Sequence, residues 1–114
     1  MRENIIKDKS YQFSLQIIQT YLKLNSQKEY VLSKQLLRAG TSIGANIEEG
    51  VAGQSKKDFI AKLQISYKES KETHYWIRLL KDSNLLDASI SDKLITDLDE
   101  IIRILRAILI KSKS

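Results

Sequence analysis

The chain has 114 residues, 42% of them hydrophobic and 29% charged, a balance that is typical of one globular domain and excludes a disordered chain. It has no cysteine, which excludes disulfides and thiolate metal sites, and no apolar run is long enough for a membrane span. The N-terminus lacks the apolar segment of a signal peptide, and the net charge of +5 is a modest excess that permits nucleic-acid binding without requiring it. We therefore expect a cytoplasmic protein that is not anchored in a membrane.

The first predicted helix runs from about residue 4 to residue 24. Its apolar residues recur at the spacing of three or four that places side chains on one helical face. One stripe consists of Ile6, Phe13, Ile17, Tyr21 and Leu24, and a second of Leu15, Ile18 and Leu22. The polar run at residues 25–28 ends the helix.

The second predicted helix runs from about residue 29 to residue 50. Its core-facing positions are Leu32, Leu36, Ala39, Ile43, Asn46 and Gly50. Gly40 and Gly44 also leave bare backbone on one face. Each glycine within a helix costs about 1 kcal/mol relative to alanine. We therefore expect another helix to approach closely at this point.

The third predicted helix runs from about residue 56 to residue 82. Ser55 precedes it with Asp58 three residues later, a pattern typical of a helix start. Its core-facing positions are Phe59, Leu63, Ser66, Ser70, Thr73, Ile77 and Leu80. The middle of this seam is small and polar, and we predict that it faces Gly40 and Gly44.

The fourth predicted helix runs from about residue 90 to residue 112, after a second possible cap at residues 89–92. One seam consists of Ile90, Leu94, Leu98, Ile101, Leu105 and Ile108, and a second of Ile95, Ile102 and Leu109, with Ile104 and Ile110 beside them. This apolar face is wider than a single core-facing stripe requires. Either another subunit covers part of it, which is the preferred interpretation, or the helix is buried more deeply in its own domain.

Four helices of about 20 residues with short connections predict an all-α fold. The expected architecture is an up-down-up-down antiparallel four-helix bundle that occupies residues 1–114 as one domain. No internal repeat and no low-complexity segment interrupts this pattern.

Few residues of the chain suit catalysis or metal binding. A di-iron site in such a bundle needs two Glu-x-x-His pairs, whereas this chain has one histidine, His74, with Glu72 two residues away on a different face. No nucleophile lies in a recognisable motif, and the spacing of Gly40 and Gly44 is not that of a phosphate loop. We predict no enzyme activity, no cofactor and no metal, and we expect His74 to make a packing or polar contact between helices.

A second candidate is a polar cluster on the second and third helices. Its members are Arg38, Ser42, Asn46, Glu69 and Glu72. The cluster is interpreted either as a ligand or partner site or as a set of hydrogen bonds that fixes helix register or a subunit interface. The second interpretation is preferred, because a buried arginine needs a carboxylate partner and several are within reach.

The third candidate is a basic face on the third helix. Between residues 55 and 81 there are seven basic and three acidic residues, so most of the excess charge lies on this helix. The candidate nucleic-acid-binding residues are Lys56, Lys57, Lys62, Lys68, Lys71 and Arg78. They form either a phosphate-contacting face or an ordinary solvated face.

Two segments also carry recognisable motifs. In the first, Leu32-Ser-Lys-Gln-Leu-Leu-Arg38 is followed by Ala-Gly-Thr-Ser-Ile-Gly-Ala-Asn46. In the second, Ser55-Lys-Lys-Asp-Phe59 is followed by Lys62-Leu63, Lys68-Glu69, Glu72-Thr73 and Tyr75-Trp76. Together they resemble the signatures of a bacterial family of four-helix-bundle proteins that are encoded in intervening sequences of large-subunit ribosomal RNA genes. The resemblance extends from about residue 10 to residue 105.

The resemblance implies a homopentameric ring. It also implies kinship with the accessory protein of diversity-generating retroelements, a basic pentamer that binds nucleic acid and partners a reverse transcriptase. The resulting hypothesis is a non-enzymatic oligomeric scaffold that binds RNA or DNA with little sequence specificity. The alternative is a protein-interaction scaffold that binds no nucleic acid.

Overall fold

The computed structural model describes residues 2–112, which form four α-helices. They are α1 (Arg2–Ser26), α2 (Leu32–Val51), α3 (Lys56–Asp82) and α4 (Ala88–Ser112). Consecutive helices pack side by side and α1 closes on α4, whereas no Cα atoms of the diagonal pairs approach within 8 Å. The short connections make neighbours antiparallel, so the predicted up-down-up-down bundle is confirmed. The described part of the bundle measures 44 × 20 × 19 Å.

The start of α2 differs most from the prediction, by three residues. The chain turns after α1 because Lys28 adopts a left-handed backbone conformation with φ of 68°. The side chain of Glu29 then accepts a hydrogen bond from the backbone N–H of Ser33 at 2.8 Å. Glu29 therefore satisfies one of the first backbone donors of α2 from outside the helix. The prediction placed Glu29 inside the helix, where glutamate is intrinsically favourable.

Of the two predicted helix starts that have a serine cap, one is confirmed. The Ser55 hydroxyl accepts a hydrogen bond from the Asp58 backbone N–H at 3.1 Å, and α3 begins at the next residue, as predicted. The prediction of a cap at Ser89 is wrong, because α4 begins at Ala88 and already includes Ser89. The backbone N–H of Ser91 donates to the carbonyl of Asp87 at 2.9 Å, which places the first turn ahead of the predicted start.

Gly40 and Gly44 allow a close helix approach, but to α1 rather than to the middle of α3. A methyl group added at Gly40 would lie 2.8–2.9 Å from three side-chain atoms of Ile17, which is fully buried. At Gly44 the nearest atoms belong to Ser10 and Ser14, at 3.3–3.4 Å. The prediction that the α3 seam faces these glycines is therefore wrong, because they lie on the α1-facing side of α2.

The small polar residues of α3 are satisfied in another way. The buried Ser66 hydroxyl donates to the Ile43 carbonyl of α2 at 2.9 Å. The hydroxyls of Ser70 and Thr73 donate to carbonyls of their own helix, three and four residues back. No buried side-chain nitrogen or oxygen of the described residues lacks a hydrogen-bond partner. The polar middle of α3 therefore costs the core little.

Nearly all of the wide apolar face of α4 is buried within its own bundle. All the residues of its first seam are buried or pack against the core, as are Ile95, Ile102 and Leu109 of the second and Ile104 beside them. Only Ile110 remains largely exposed, at 65%. Of the two interpretations of this face, deeper burial is the one that the structure supports, and coverage of the α4 seams by another subunit is not needed.

The contact between Gly40 and Ile17 predicts a test of packing. Gly40→Ala gains about 1 kcal/mol of helix propensity, but overpacking typically costs about 1–3 kcal/mol. We expect a net loss of up to about 2 kcal/mol in the free energy of unfolding, measured with urea. In an Ile17→Ala background the same change should become neutral or stabilising. Equal effects of Gly40→Ala in both backgrounds would contradict the contact.

Candidate nucleic-acid interface

Five of the six residues predicted to bind nucleic acid are exposed and form no ion pair. They are Lys56, Lys57, Lys68, Lys71 and Arg78. In the described part of the chain none of these five has a carboxylate oxygen within 4.0 Å of its charged group. Lys62 differs, because its ammonium lies 2.9 Å from Glu49 of α2. The structure therefore places Lys62 in a helix–helix ion pair, away from the other five.

The end of α4 adds a cation to the same surface. Arg106 is exposed, and α4 has no acidic residue after Glu100. Arg106 donates a hydrogen bond to the Tyr67 hydroxyl at 3.3 Å, and its guanidinium carbon lies 5.9 Å from the centre of the Tyr67 ring. The sequence gives no signal for Arg106, because it lies in the apolar run at the end of α4 and its neighbour Tyr67 is 39 residues earlier in the chain. We call the combined surface of α3 and α4 the basic face; its members are Lys56, Lys57, Lys68, Lys71, Arg78 and Arg106.

The environment of Tyr67 reflects this concentration of positive charge. The hydrogen bond from Arg106 lowers the pKa of the Tyr67 phenol, and the charges of Arg106 and Lys71 lower it further, whereas burial acts in the opposite direction. The net direction is downward because the cations outweigh burial. A similar pair lies further along α3, where the guanidinium carbon of Arg78 is 5.9 Å from the ring centre of the exposed Tyr75.

The acidic residues of α4 are paired with groups away from the basic face or at its border. Asp92 lies 2.6 Å from Lys81, Asp97 lies 2.8 Å from Lys93, and Glu100 lies 3.0 Å from Lys9 of α1. His74 contacts Asp99 at 3.4 Å, which confirms the predicted polar contact of the histidine between helices. The four carboxylates of α4 therefore have partners outside the basic face.

The predicted polar cluster separates into two parts. Arg38 of α2 donates to Glu69 at 3.2 Å and to Glu72, both on α3. The indole N–H of Trp76 donates to the same Glu72 oxygen at 2.9 Å. We call these four side chains the α2–α3 network. One guanidinium therefore binds two carboxylates, and one of these also accepts from an indole. Such a network fixes the register of two neighbouring helices, which is the interpretation preferred in the sequence analysis.

Ser42 and Asn46 do not join the α2–α3 network. The Ser42 hydroxyl donates to the Arg38 carbonyl at 2.6 Å, and the Asn46 amide donates to the Ser42 carbonyl at 2.8 Å. Both side chains therefore bond to their own helix one turn back. The arrangement leaves no convergent set of polar groups for a ligand at this place.

Residues 2–112 contain neither a cluster of metal ligands nor a membrane-spanning helix. Within that range no three His, Cys, Asp or Glu side chains are grouped so that they could hold a metal ion. None of the four helices there is both long and apolar enough to cross a membrane.

The α2–α3 network predicts a stability effect that is separate from binding. Arg38→Gln leaves Glu69 and Glu72 beside each other without a cation, and because the Arg38 side chain is 50% exposed the free energy of unfolding should fall by about 1–1.5 kcal/mol. The matched control is Lys62→Gln, which breaks one exposed ion pair and should cost only about 0.5 kcal/mol. Denaturant unfolding measures both variants. Equal losses in the free energy of unfolding would show that the network stabilises the bundle no more than one exposed ion pair does.

Comparisons with known proteins agree with this architecture. The sequence model of the family described as 23S rRNA-intervening sequence protein matches residues 2–107. A solved structure of a protein with unknown function from the S23 ribosomal protein family of Bacteroides thetaiotaomicron VPI-5482 superposes with a TM-score of 0.91. It is 44% identical in sequence, over 96% of this chain and 98% of that chain. No protein of curated function matches. The family match covers nearly the whole bundle, and the chain therefore belongs to the 23S rRNA-intervening sequence protein family.

Proposed function

We propose that this protein is a non-enzymatic scaffold that binds RNA or DNA through the basic face, with little sequence specificity. The observation that carries the proposal is the distribution of ion pairs. Elsewhere in the bundle Lys7 and Lys9 are matched with carboxylates on neighbouring helices, and Lys23 with a carboxylate of the α3–α4 connection. The exposed, unpaired Lys28 and Lys34 lie apart near the α1–α2 connection. The cations of the basic face have no such partners, so an external polyanion can neutralise them.

The dimensions of the basic face suit a nucleic-acid backbone. From Lys56 to Arg78 the helix rises about 33 Å, at 1.5 Å per residue, which is close to one turn of a duplex. Lysine side chains contact phosphates as point charges and carry little sequence information. Weak sequence preference and a strong dependence on salt therefore follow from the composition of the face.

Salt dependence gives a quantitative test. Each phosphate contact contributes about 0.9 to the slope of log affinity against log salt concentration. Lys68→Gln combined with Lys71→Gln should weaken binding of an RNA hairpin and reduce the slope by about 2. Lys28→Gln combined with Lys34→Gln removes the same charge from exposed, unpaired positions near the α1–α2 connection and should leave the slope unchanged. Equal slopes for both double variants, with helicity intact, would contradict the proposed face.

A second surface concerns self-association. The outward side of α1 exposes Tyr11, Leu15, Ile18 and Leu22. Their spacings of four, three and four are those of a coiled-coil seam, and they lie away from the core stripe of the same helix. We call these residues the α1 stripe. The α1 stripe, rather than the α4 face, is the surface that a second copy of the chain would cover, and ring assembly is therefore assigned to it in the proposal.

The α1 stripe predicts the effect of one substitution on assembly. Leu15→Glu together with Ile18→Glu places charges at positions that are 43% and 38% exposed, so the fold should tolerate them. We expect the variant to sediment as a monomer while the wild type sediments as an oligomer. Ile110→Glu on α4 is the matched control and should leave the assembly intact. A monomeric wild type would overturn self-association and would favour the alternative function, a scaffold whose stripe binds another protein.

A further inference from the structure

The basic face contains an open pocket between α3 and the last turns of α4. The pocket has a volume of about 440 Å³, within the range of small-ligand sites. It is lined by Gln64, Tyr67, Lys68, Arg106, Leu109 and Ile110. We call it the Tyr67–Arg106 pocket. A surface that contacts phosphates alone needs cations but no apolar pocket, so this feature calls for a separate explanation.

The lining combines two chemistries. Ile110 is 65% exposed and Leu109 is half-buried, so part of the wall is apolar and accessible. Arg106 and Lys68 supply positive charge beside that wall. A ligand that matches both must have a flat, weakly polar face close to a negative charge. An unpaired nucleotide has this combination, whereas in a duplex the faces of the bases are stacked on one another.

Arg106 is held in place for such a contact. Its hydrogen bond to Tyr67 and its position beside the Tyr67 ring restrict the guanidinium without neutralising it. In the described part of the chain no carboxylate lies within 4.0 Å of it. A guanidinium plane is a good stacking surface for a base, and a side chain that is already ordered loses less entropy on binding.

A second open pocket continues the same track toward the start of α3. Its volume is also about 440 Å³, and it is lined by Lys56, Lys57, Ile60, Ala61 and Gln64. Gln64 belongs to both pockets, so they adjoin each other. Each pocket has apolar side chains with lysines beside them. This repetition along the helix fits a chain of successive nucleotides better than a single small molecule.

We infer that the basic face binds single-stranded nucleic acid, with an unpaired base in the Tyr67–Arg106 pocket and the adjoining phosphates on Lys68 and Lys71. This inference rests on the proposed nucleic-acid binding and specifies the strand state of the ligand. It predicts that the protein binds a single strand more tightly than a duplex with the same number of phosphates.

The test uses oligouridylate that carries one fluorescent aminopurine base, and an RNA duplex matched in phosphate count. Arg106→Lys keeps the positive charge but removes the stacking plane, so affinity for the single strand should fall about fivefold or more while affinity for the duplex stays the same. Arg103→Lys is the matched control on an exposed turn of the same helix and should change neither affinity. Ile110→Ser tests the apolar wall at an exposed position and should weaken single-strand binding alone.

The outcomes separate this inference from the function on which it rests. Tighter single-strand binding, a change in aminopurine fluorescence on binding and a selective loss in Arg106→Lys would support both. Equal or tighter duplex binding, with no selective effect of Arg106→Lys or Ile110→Ser, would overturn the base-binding pocket and leave the phosphate-binding face in place. No binding of either RNA at low salt would overturn the proposed function and this inference together.

Discussion

The close approach of α1 and α2 at Gly40 is the constraint on which the rest of the bundle depends. Ile17 occupies the space that any larger residue at position 40 would need. With bare backbone there, α1 lies against one flank of α2, and its core stripe turns inward. The other stripe of α1 then faces outward, because two apolar stripes on one helix cannot both reach the same core. The exposed α1 stripe is thus a consequence of where the glycines lie.

The other flank of α2 is left free for α3. There the Ser66 hydroxyl reaches the Ile43 carbonyl, and Arg38 bridges the carboxylates of Glu69 and Glu72. These contacts use the acidic residues in the middle of α3, on the side that faces α2. Lys68 and Lys71, in the middle of its outward side, consequently have no free acidic neighbour on that stretch of α3. The α2–α3 network and the basic face are therefore linked. Glu69 and Glu72 bind Arg38 and are not available to neutralise Lys68 and Lys71.

Most of the fold could be predicted from the sequence, because helical periodicity and the Ser55 cap depend on residues that are close together in the chain. The direction of Gly40 and Gly44 could not. Periodicity shows that two residues share a face, but the choice between α1 and α3 depends on how three helices meet. The burial of α4 was misjudged for a similar reason, because a wide apolar face has the same pattern whether its own bundle or a second subunit covers it.

The candidate site was partly predictable in the same sense. Five members of the basic face lie on one helix and could be grouped from their spacing. Arg106 joins them only through its contact with Tyr67, 39 residues earlier in the chain. The Tyr67–Arg106 pocket is a product of two helices, and neither helix alone carries a signal for it. Lys62 shows the opposite case: its charge groups it with the other cations, although a separation of nine residues places it and Lys71 on opposite sides of a helix, and it pairs with Glu49 of α2.

The positions of the α1 stripe and the basic face bear on how the two proposals combine. α1 and α3 are diagonal in the bundle, and their Cα atoms do not approach within 8 Å of one another. Assembly through α1 therefore leaves the outward side of α3 uncovered on every copy. A closed assembly would present several basic faces to one nucleic acid, and contacts that are weak singly would reinforce one another through a high effective concentration. On this argument a variant that is monomeric through changes in the α1 stripe should keep the salt slope of a single face but lose much of the affinity of the assembly.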